Sequence, residues 1–281
     1  MEVSLSEQCF GDFLKLIHEL TGITIGSNRT SLVEGRLRKR LVALNLPSFE
    51  AYLQLVRADR AEQVIFIDAV TTNETYFYRT PRIWDYVEKT LLPSWFAAHP
   101  NAVFTAWSAA ASSGEEAHTL AVLCQAFKEK HPSFIYQITG TDISKEMVTL
   151  CQRGLYTGRS IESFRKSRPE LFTKFLQEAS PGTFEVRAEI KGRLKFSQHN
   201  LFKPLVAKEK FDLVLLRNVL IYFKGPDQER VISLIEPRLA PDGTVIIGES
   251  ESFTHIRTNF KAIEAFVYRQ NTAPDAARKA G

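Results

Sequence analysis

Cysteine is scarce in this sequence, and its placement argues against two classes of protein. The 281 residues contain three cysteines, Cys9, Cys124 and Cys151. No pair of them has the spacing of a zinc site, and three isolated cysteines do not form a disulfide scaffold. Unpaired cysteines fit a reducing compartment, so we expect a cytoplasmic protein. The six histidines form no set with metal-ligand spacing, and we predict no metal.

Long apolar runs and a strong excess of one charge are also missing. No apolar stretch approaches the roughly 20 residues that span a membrane, and no apolar segment follows a basic start. We therefore expect no membrane insertion and no signal peptide. The net charge of +4 is too small to indicate nucleic-acid binding. The length suggests one sizeable domain and a smaller one, and we expect a monomer.

The first 72 residues predict a small all-helical domain. Apolar residues recur at helical spacing from Phe10 to Leu20, and Thr21-Gly22 ends this first helix. The same criteria predict three further helices, over Thr30 to Leu44, Ser48 to Val56 and Ala61 to Val70.

Residues 80–270 predict an α/β fold, because strand and helix patterns alternate along them. Such alternation implies a parallel sheet with helices on both faces. The predicted strands are Val103 to Trp107, Phe134 to Gly140, Phe211 to Leu216, Thr244 to Gly248 and Glu264 to Arg269. The predicted helices are Pro81 to Phe96, Glu115 to Lys130, Ser144 to Cys151 and Pro226 to Leu239.

One segment interrupts this alternation. Phe184 to Arg187 and Arg193 to Phe196 alternate with period two around Lys191-Gly192, which predicts an antiparallel hairpin inserted at about 180–198. The final residues, 271–281, are rich in alanine and polar residues, and we expect a disordered tail.

Polar clusters follow three of the predicted strands. Ser108 to Glu116 follows the first, Thr141-Asp142 ends the second, and Arg217-Asn218 follows Phe211 to Leu216. In open α/β sheets the crevice outside the carboxyl ends of the strands is where ligands bind. The sequence therefore predicts a ligand site built from these clusters.

Glycine is nearly absent from the first cluster, which distinguishes it from a dinucleotide site. Only Gly114 is present, and Glu115 and Glu116 would repel a pyrophosphate. They suit an ammonium or sulfonium ligand, or they complement the helix dipole. Asp142 stands where a ribose is held, or it caps a helix, for which Ser144 is the better candidate. Ribose and a cation without phosphate favour S-adenosylmethionine over NAD.

Four ordered segments then resemble the CheR family of chemotaxis receptor methyltransferases. These are Thr71 to Arg79, Trp107 to Glu116, Thr141 to Ser144 and Arg217 to Phe223. The similarity extends from the first helix to about Arg269. It implies a Rossmann-like class I methyltransferase domain with an inserted antiparallel β-subdomain, preceded by the helical domain. The implied reaction is S-adenosylmethionine-dependent methylation of receptor glutamate carboxylates, with S-adenosylhomocysteine as the second product.

The resemblance also assigns roles to individual residues. It implies that Asn73, Thr75 and Arg79 contact the methionyl part of the cofactor, that Glu116 (or Glu115) meets its amino group, that Asp142 holds the ribose, and that Asn200, Leu201, Arg217 and Asn218 line the adenine and sulfonium side. Arg79 and Tyr222 are the pair expected closest to the transferred methyl group.

Two interactions with the receptor follow from the same resemblance. The second helix could dock on an acidic helical receptor through four basic residues, Arg36, Arg38, Lys39 and Arg40, although such a run is usually a solvated face. Some family members also capture a receptor tail peptide on the β-subdomain, after a glycine-bracketed loop. Here the matching stretch, Glu178 to Thr183, is shorter and has one glycine. We therefore expect no dependence on a tether.

Two other functions remain open at this point. The protein could methylate a different protein carboxylate, or it could bind S-adenosylmethionine as a non-catalytic regulator. The presence of both Arg79 and Tyr222 favours an enzyme.

Overall fold

The computed structural model describes residues 4–206 and 210–271. The predicted disordered tail lies outside the described residues from Thr272 onward. The helices are α1 (Glu7–Thr21), α2 (Thr30–Ala43), α3 (Phe49–Ala58), α4 (Arg60–Val70), α5 (Pro81–Tyr86), α6 (Leu92–Ala98), α7 (Glu115–Lys130), α8 (Lys145–Arg153), α9 (Arg159–Ser167), α10 (Pro169–Phe175), α11 (Ala188–Lys191) and α12 (Gly225–Ile235). The strands are β1 (Val103–Ser108), β2 (Ile135–Asp142), β3 (Leu155–Thr157), β4 (Leu176–Ser180), β5 (Thr183–Val186), β6 (Leu194–Gln198), β7 (Phe211–Leu216), β8 (Leu239–Ile247), β9 (Phe260–Glu264) and β10 (Val267–Gln270).

The N-terminal domain is helical, as predicted, and its helix ends follow from local chemistry. The Ser6 side chain accepts from the backbone N–H of Cys9 and caps the start of α1. Gly22 ends that helix with φ 75°, a left-handed conformation that suits glycine. The buried rings of Phe13 and Phe66 stack at 5.9 Å in the core that α1 to α4 share.

The second domain is built on a seven-stranded sheet in the order β6-β2-β1-β7-β8-β10-β9. Strands β6, β2, β1, β7 and β8 are parallel, and β10 is antiparallel to both β8 and β9. From β1 the chain continues to β2 on one side and reaches β7 on the other. The strand order therefore reverses at β1, and this is where open α/β sheets bind ligands.

The sheet is buried on both faces at β7, which explains the apolar run from Leu213 to Leu216 in that strand. Leu213 and Leu215 belong to the core cluster that includes α7, whereas Val214 and Leu216 belong to the cluster that includes α12. A strand buried on both faces needs apolar residues at every position. The predicted parallel sheet with helices on both faces is confirmed.

An additional antiparallel sheet is present, but its predicted position is wrong. Strand β5 pairs with β3 on one side and β4 on the other. Strand β6, the other half of the predicted hairpin, instead joins the large sheet parallel to β2, with Leu194 opposite Ile138. The inserted sheet thus spans 155–186 rather than about 180–198. Period-two alternation indicates a half-buried strand and does not specify its neighbour.

Proline ends one predicted helix early and changes the hydrogen-bond pattern of another, which is helical without a break from Pro81 to Ala98. The helix predicted over Pro81 to Phe96 consists of α5, a π-helical segment Val87–Leu91 and α6. Pro93 lacks the N–H that would continue the regular pattern. The helix predicted to reach Leu239 ends earlier for the same reason, since Pro237 follows α12 and Leu239 already begins β8.

Candidate active site

A cavity of about 520 Å³ lies at the carboxyl ends of β1, β2 and β7 and is closed on one side by the N-terminal domain. Its volume is in the range that holds a small-molecule ligand. The structure brings together, in the lining of this cavity, every site residue predicted from the sequence: Asn73, Thr75, Arg79, Glu116, Asp142, Asn200, Leu201, Arg217, Asn218 and Tyr222.

The loop between β1 and α7 forms the floor of the cavity and depends on one glycine. Gly114 has φ 103°, and a Cβ atom there would lie 2.7 Å from the Tyr156 hydroxyl and 3.1 Å from Cys151 Cα. Any side chain would therefore be strained and would clash. Ser112, in the same loop, also has a left-handed backbone with φ 49°.

Glu116 and Arg217 form a buried ion pair beside the cavity. The Glu116 carboxylate accepts from Ser108 Oγ at 2.8 Å and from Arg217 Nη1 at 3.0 Å. Their side chains are 10% and 1% exposed. Burial raises the pKa of Glu116, and the nearby Arg217 charge opposes that shift. The pair holds a negatively charged acceptor at the cavity wall.

The sequence left a choice between Glu115 and Glu116, and the structure separates the two. Glu116 lines the cavity, whereas Glu115 is buried and accepts from Ser113 Oγ at 2.6 Å. The geometry therefore favours Glu116 as the ligand contact.

Asp142 lies at the end of β2 with its carboxylate fixed by backbone donors. Oδ2 accepts from the N–H of Ser112 at 2.8 Å, and Oδ1 accepts from the N–H of Ser144 at 2.9 Å. Burial raises the pKa of Asp142, and these backbone bonds oppose the shift. The cap of α8 is Ser144, as predicted, since its side chain accepts from Met147 N. Asp142 itself faces the cavity.

Arg79 lies between two residues with left-handed backbones, Tyr78 with φ 59° and Thr80 with φ 64°. Such conformations cost on the order of 1–3 kcal/mol each and cluster at functional sites. Arg79 Nη1 donates to the Glu74 carbonyl at 3.2 Å, and the guanidinium carbon lies 5.7 Å from the centre of the Tyr76 ring. The Arg79 side chain therefore packs against the loop that carries it, at the wall of the cavity.

The guanidinium of Arg217 contacts two other predicted site residues. The resemblance placed it on the adenine and sulfonium side with Asn218. In the structure its guanidinium bonds Glu116 and donates through Nη2 to the Arg79 carbonyl at 2.8 Å. It also lies 5.3 Å from the centre of the Trp84 ring. Arg217 therefore holds two other site residues in place while it lines the cavity itself, and its expected position on the adenine and sulfonium side stays a prediction.

Glu251 organises the turn that follows β7, and sequence reasoning missed it. Its buried carboxylate accepts from four backbone N–H groups, those of Gly248, Asn218, Val219 and Leu220. Asn218 has φ 58°, so this turn is strained and needs such support. The position of Glu251, just after β8, was a signal that could have identified it.

The adenine-side prediction, Asn200 and Leu201, falls where the two domains meet. Asn200 Nδ2 donates to the Leu20 carbonyl at 2.8 Å, and its Oδ1 accepts from Phe202 N at 2.9 Å. Leu201 is 8% exposed in the core cluster of β7 and β8. The Asn200 side chain therefore links the domains as well as lining the cavity.

The segment after α1 also contributes to the cavity, which the sequence did not indicate. Residues 21, 23, 24, 25 and 26 line it, and Thr24 N donates to the Tyr222 carbonyl at 2.8 Å. Arg29, Leu32 and Arg36 continue this wall toward the opening. Apart from Gly26, this segment has no residue pattern typical of a ligand site.

Two of the four basic residues of α2 are neutralised within the chain. Arg40 bonds both carboxylate oxygens of Glu62 at 2.6 and 2.7 Å, and Arg38 pairs with Glu34. Glu62 is 4% exposed, so its pair with Arg40 supports the helical core.

The other two basic residues are differently placed. Arg36 lines the cavity and donates to the carbonyls of Val70 and Thr71 and to the hydroxyl of Thr72. Lys39 is exposed. A docking role for this helix therefore rests on Arg36 and Lys39 more than on Arg38 and Arg40.

In residues 4–206 and 210–271, no group of three or more His, Cys, Asp or Glu side chains could hold a metal ion. No helix in that part of the chain has the length and apolar character needed to cross a bilayer.

The cavity residues fit S-adenosylmethionine by their chemistry. Glu116 is an anionic acceptor for an ammonium group, and Asp142 has carboxylate lone pairs left for two hydroxyl groups. Arg217 Nε is buried without a partner within the described chain, so a donor remains beside Glu116.

Known proteins match both domains of the chain. The family model of the CheR methyltransferase SAM binding domain matches residues 73–269, and that of the CheR methyltransferase all-alpha domain matches residues 9–71. The chain is 31% identical over 265 residues to chemotaxis protein methyltransferase 1 of Vibrio cholerae, covering 93% of this chain and 95% of that protein. It is 32% identical to the chemotaxis protein methyltransferase of Klebsiella aerogenes, covering 91% and 87%, and 28% identical to that of Escherichia coli, covering 95% and 92%. With both of its domains matched, this chain belongs to the CheR methyltransferase family.

Proposed function

We propose that this protein methylates glutamate side-chain carboxylates of chemoreceptors in the cytoplasm, giving methyl esters, and that it acts as a monomer. The observation that carries the proposal is that Glu116 and Asp142 share one cavity with Arg79 and Tyr222. The first two suit the cofactor, and the second two suit the reacting carboxylate. The relatives named as chemotaxis protein methyltransferases support the choice of substrate class.

Cofactor binding divides among the walls of the cavity. Glu116 holds the amino group, Asp142 holds the ribose hydroxyls, and Asn73, Thr75 and Arg79 contact the methionyl part. The adenine and sulfonium side is lined by Asn200, Leu201, Arg217 and Asn218. When bound, S-adenosylmethionine supplies a methyl group on a sulfonium, and its transfer to a carboxylate leaves a methyl ester and S-adenosylhomocysteine.

This reaction requires little acid–base catalysis from the protein. A glutamate carboxylate has an ordinary pKa near 4.3, so at neutral pH it is already an anionic nucleophile. Arg79 holds a carboxylate by charge-assisted hydrogen bonds, and Tyr222 presents its ring or hydroxyl beside the cationic centre. The main contribution of the protein is then alignment of the two reactants.

The proposal is tested by transfer of a radiolabelled methyl group from S-adenosylmethionine to soluble cytoplasmic fragments of chemoreceptors. An acidic protein unrelated to receptors serves as the control substrate. Label on the receptor fragments alone supports the proposal. Equal label on both would point to another protein carboxylate, and binding of S-adenosylmethionine without any transfer would point to a non-catalytic regulator.

Replacing Glu251 with glutamine is expected to lower kcat about tenfold. An amide places an NH₂ group among four backbone donors, and each buried donor left unpaired costs about 1–3 kcal/mol. The turn that carries Asn218 and leads to Tyr222 would shift. S-adenosylhomocysteine binding, measured by calorimetry, is expected to weaken less than kcat. The matched control is Glu249→Gln, on the same loop and 55% exposed. A loss of thermal stability with unchanged kcat would show that Glu251 is structural only.

A receptor tail pentapeptide is not expected to bind at micromolar concentration. In the inserted sheet the turn between β4 and β5 consists of Pro181 and Gly182, with Gly182 at φ 73°. Because this turn is short, there is no extended loop beside the edge strand β4 that could hold a peptide. Calorimetry with the free pentapeptide tests the expectation, and micromolar binding would refute it.

A further inference from the structure

Exposed apolar side chains cluster at the opening of the cavity. In the part of the chain that the structure describes, ten large apolar side chains are exposed, and three of them line this cavity: Leu32 at 38%, Tyr76 at 38% and Ile221 at 49%. They come from α2, from the loop before α5 and from the turn after β7. We call these three residues the apolar rim. Single exposed apolar residues are ordinary, but a group around one opening indicates a contact surface.

The apolar rim lies among positive charges. Arg29, Arg36 and Arg79 line the same cavity, and so does the acidic residue Glu74, from the loop that carries Arg79. The contacts of Arg36 are carbonyl and hydroxyl oxygens, and Arg79 contacts a carbonyl. These oxygens orient the guanidinium groups and leave their charge in place.

The other arginines of α2 differ from Arg36 in this respect. Arg38 and Arg40 face carboxylates of the same chain, which neutralise them. Two basic residues of α2 face no such carboxylate within the described chain: Arg36 lies on the cavity side with Leu32 of the apolar rim, and Lys39 is exposed outside the cavity lining. A partner that covers this opening has to be acidic and apolar at once.

We propose that the apolar rim seats apolar side chains that flank the target glutamate of the substrate, while Arg29 and Arg36 take a second acidic side chain. This inference rests on the proposed function and adds a sequence requirement to it. With the target glutamate extended into the cavity, its neighbours on the substrate lie at the opening. If the substrate is helical, those neighbours are three and four residues away. Selection then depends on the residues around the glutamate as well as on the glutamate itself.

The test uses the full chain saturated with S-adenosylhomocysteine and a soluble receptor fragment that wild type methylates. The double variant Tyr76→Ser/Ile221→Ser is expected to raise the Kd for the fragment about tenfold, which is about 1.4 kcal/mol. Because these apolar side chains are only about half exposed in the free protein, binding removes only part of their surface from water, and this limits the expected change in Kd. The Kd for S-adenosylhomocysteine is expected to stay within about twofold of wild type.

The control double variant is Val42→Ser/Ile263→Ser. Val42 is 76% exposed on α2 and Ile263 is 44% exposed on β9, and both lie outside the cavity lining. This variant should bind the fragment as wild type does. A second experiment compares two synthetic peptides that each contain a central glutamate and a second glutamate. One peptide has leucines three and four residues from the central glutamate, and the other has serines at those positions. Wild type should bind the leucine peptide more tightly, and the rim variant should bind the two alike.

The outcomes separate the rim from the proposed function. An unchanged Kd for the receptor fragment in the rim variant would overturn the rim proposal. A comparable loss of S-adenosylhomocysteine binding would also overturn it, since Tyr76 and Ile221 would then belong to the cofactor site. Failure of wild type itself to bind or methylate any receptor fragment would refute the proposed function, and the rim with it.

Discussion

Replacing Asp142 with alanine is expected to weaken S-adenosylmethionine binding about a hundredfold. Hydrogen bonds to a charged group contribute about 1.5–3 kcal/mol each, and the ribose offers two hydroxyl groups to this carboxylate. A loss of about 3 kcal/mol corresponds to about a hundredfold. The substitution also releases the backbone of Ser112, which Asp142 holds at 2.8 Å in the loop at the floor of the cavity.

Calorimetry of each variant with S-adenosylmethionine and S-adenosylhomocysteine measures this effect. Asp68→Ala is the matched control, because Asp68 also accepts a backbone N–H, from Lys145 at 3.1 Å, but lies outside the cavity lining. If the Kd of the Asp142→Ala variant for these ligands lies within a few-fold of the Kd of the Asp68→Ala variant, Asp142 does not hold the ribose.

Replacing Arg217 with methionine is expected to destabilise the protein by about 3–5 kcal/mol near neutral pH. Removing one member of a buried ion pair leaves the other as an uncompensated buried charge. Here the remaining charge is Glu116, whose side chain is 10% exposed. The double variant Arg217→Met/Glu116→Gln removes that charge and should recover much of the lost free energy of unfolding, although not cofactor binding.

The sign of the pH dependence follows from the same pair. Without Arg217, burial raises the folded-state pKa of Glu116 further above its unfolded value near 4.3. The folded state then binds more protons than the unfolded state, so stability falls as the pH rises above about 4.3. Urea denaturation at several pH values should show this fall in Arg217→Met relative to wild type. The control is Arg38→Met, which breaks a partly exposed pair worth about 1 kcal/mol or less. Equal losses in the two variants would contradict the account.

The sequence predicted the sheet and its ligand edge because each depends on a local pattern. The largely apolar segment Phe211 to Leu216 indicated a strand buried on both faces, and the polar residues after it marked the strand end. Glu116, Asp142, Arg217 and Asn218 line the cavity for this reason. The other site residues were predicted from the family resemblance, and they line the cavity too: Asn73, Thr75, Arg79, Asn200, Leu201 and Tyr222. Their individual roles toward the cofactor remain predictions.

What the sequence missed depends on contacts between distant segments. The pairing of β6 with β2, across more than fifty residues of chain, cannot be inferred from alternation. Thr21 and residues 23–26 line the cavity only because α1 packs beside the second domain. The contact of Arg217 with Glu116, which joins residues about a hundred positions apart in the chain, could not be inferred from the sequence either.

The bond that the protein forms is the most direct test of its proposed activity. A receptor fragment is incubated with the protein and radiolabelled S-adenosylmethionine, digested, and examined by mass spectrometry and by alkaline treatment. The account predicts one added methyl group on a glutamate, released by alkali as volatile labelled methanol, as a carboxyl methyl ester requires. Label that resists alkali, or that lies on a lysine or arginine, would contradict glutamate ester formation.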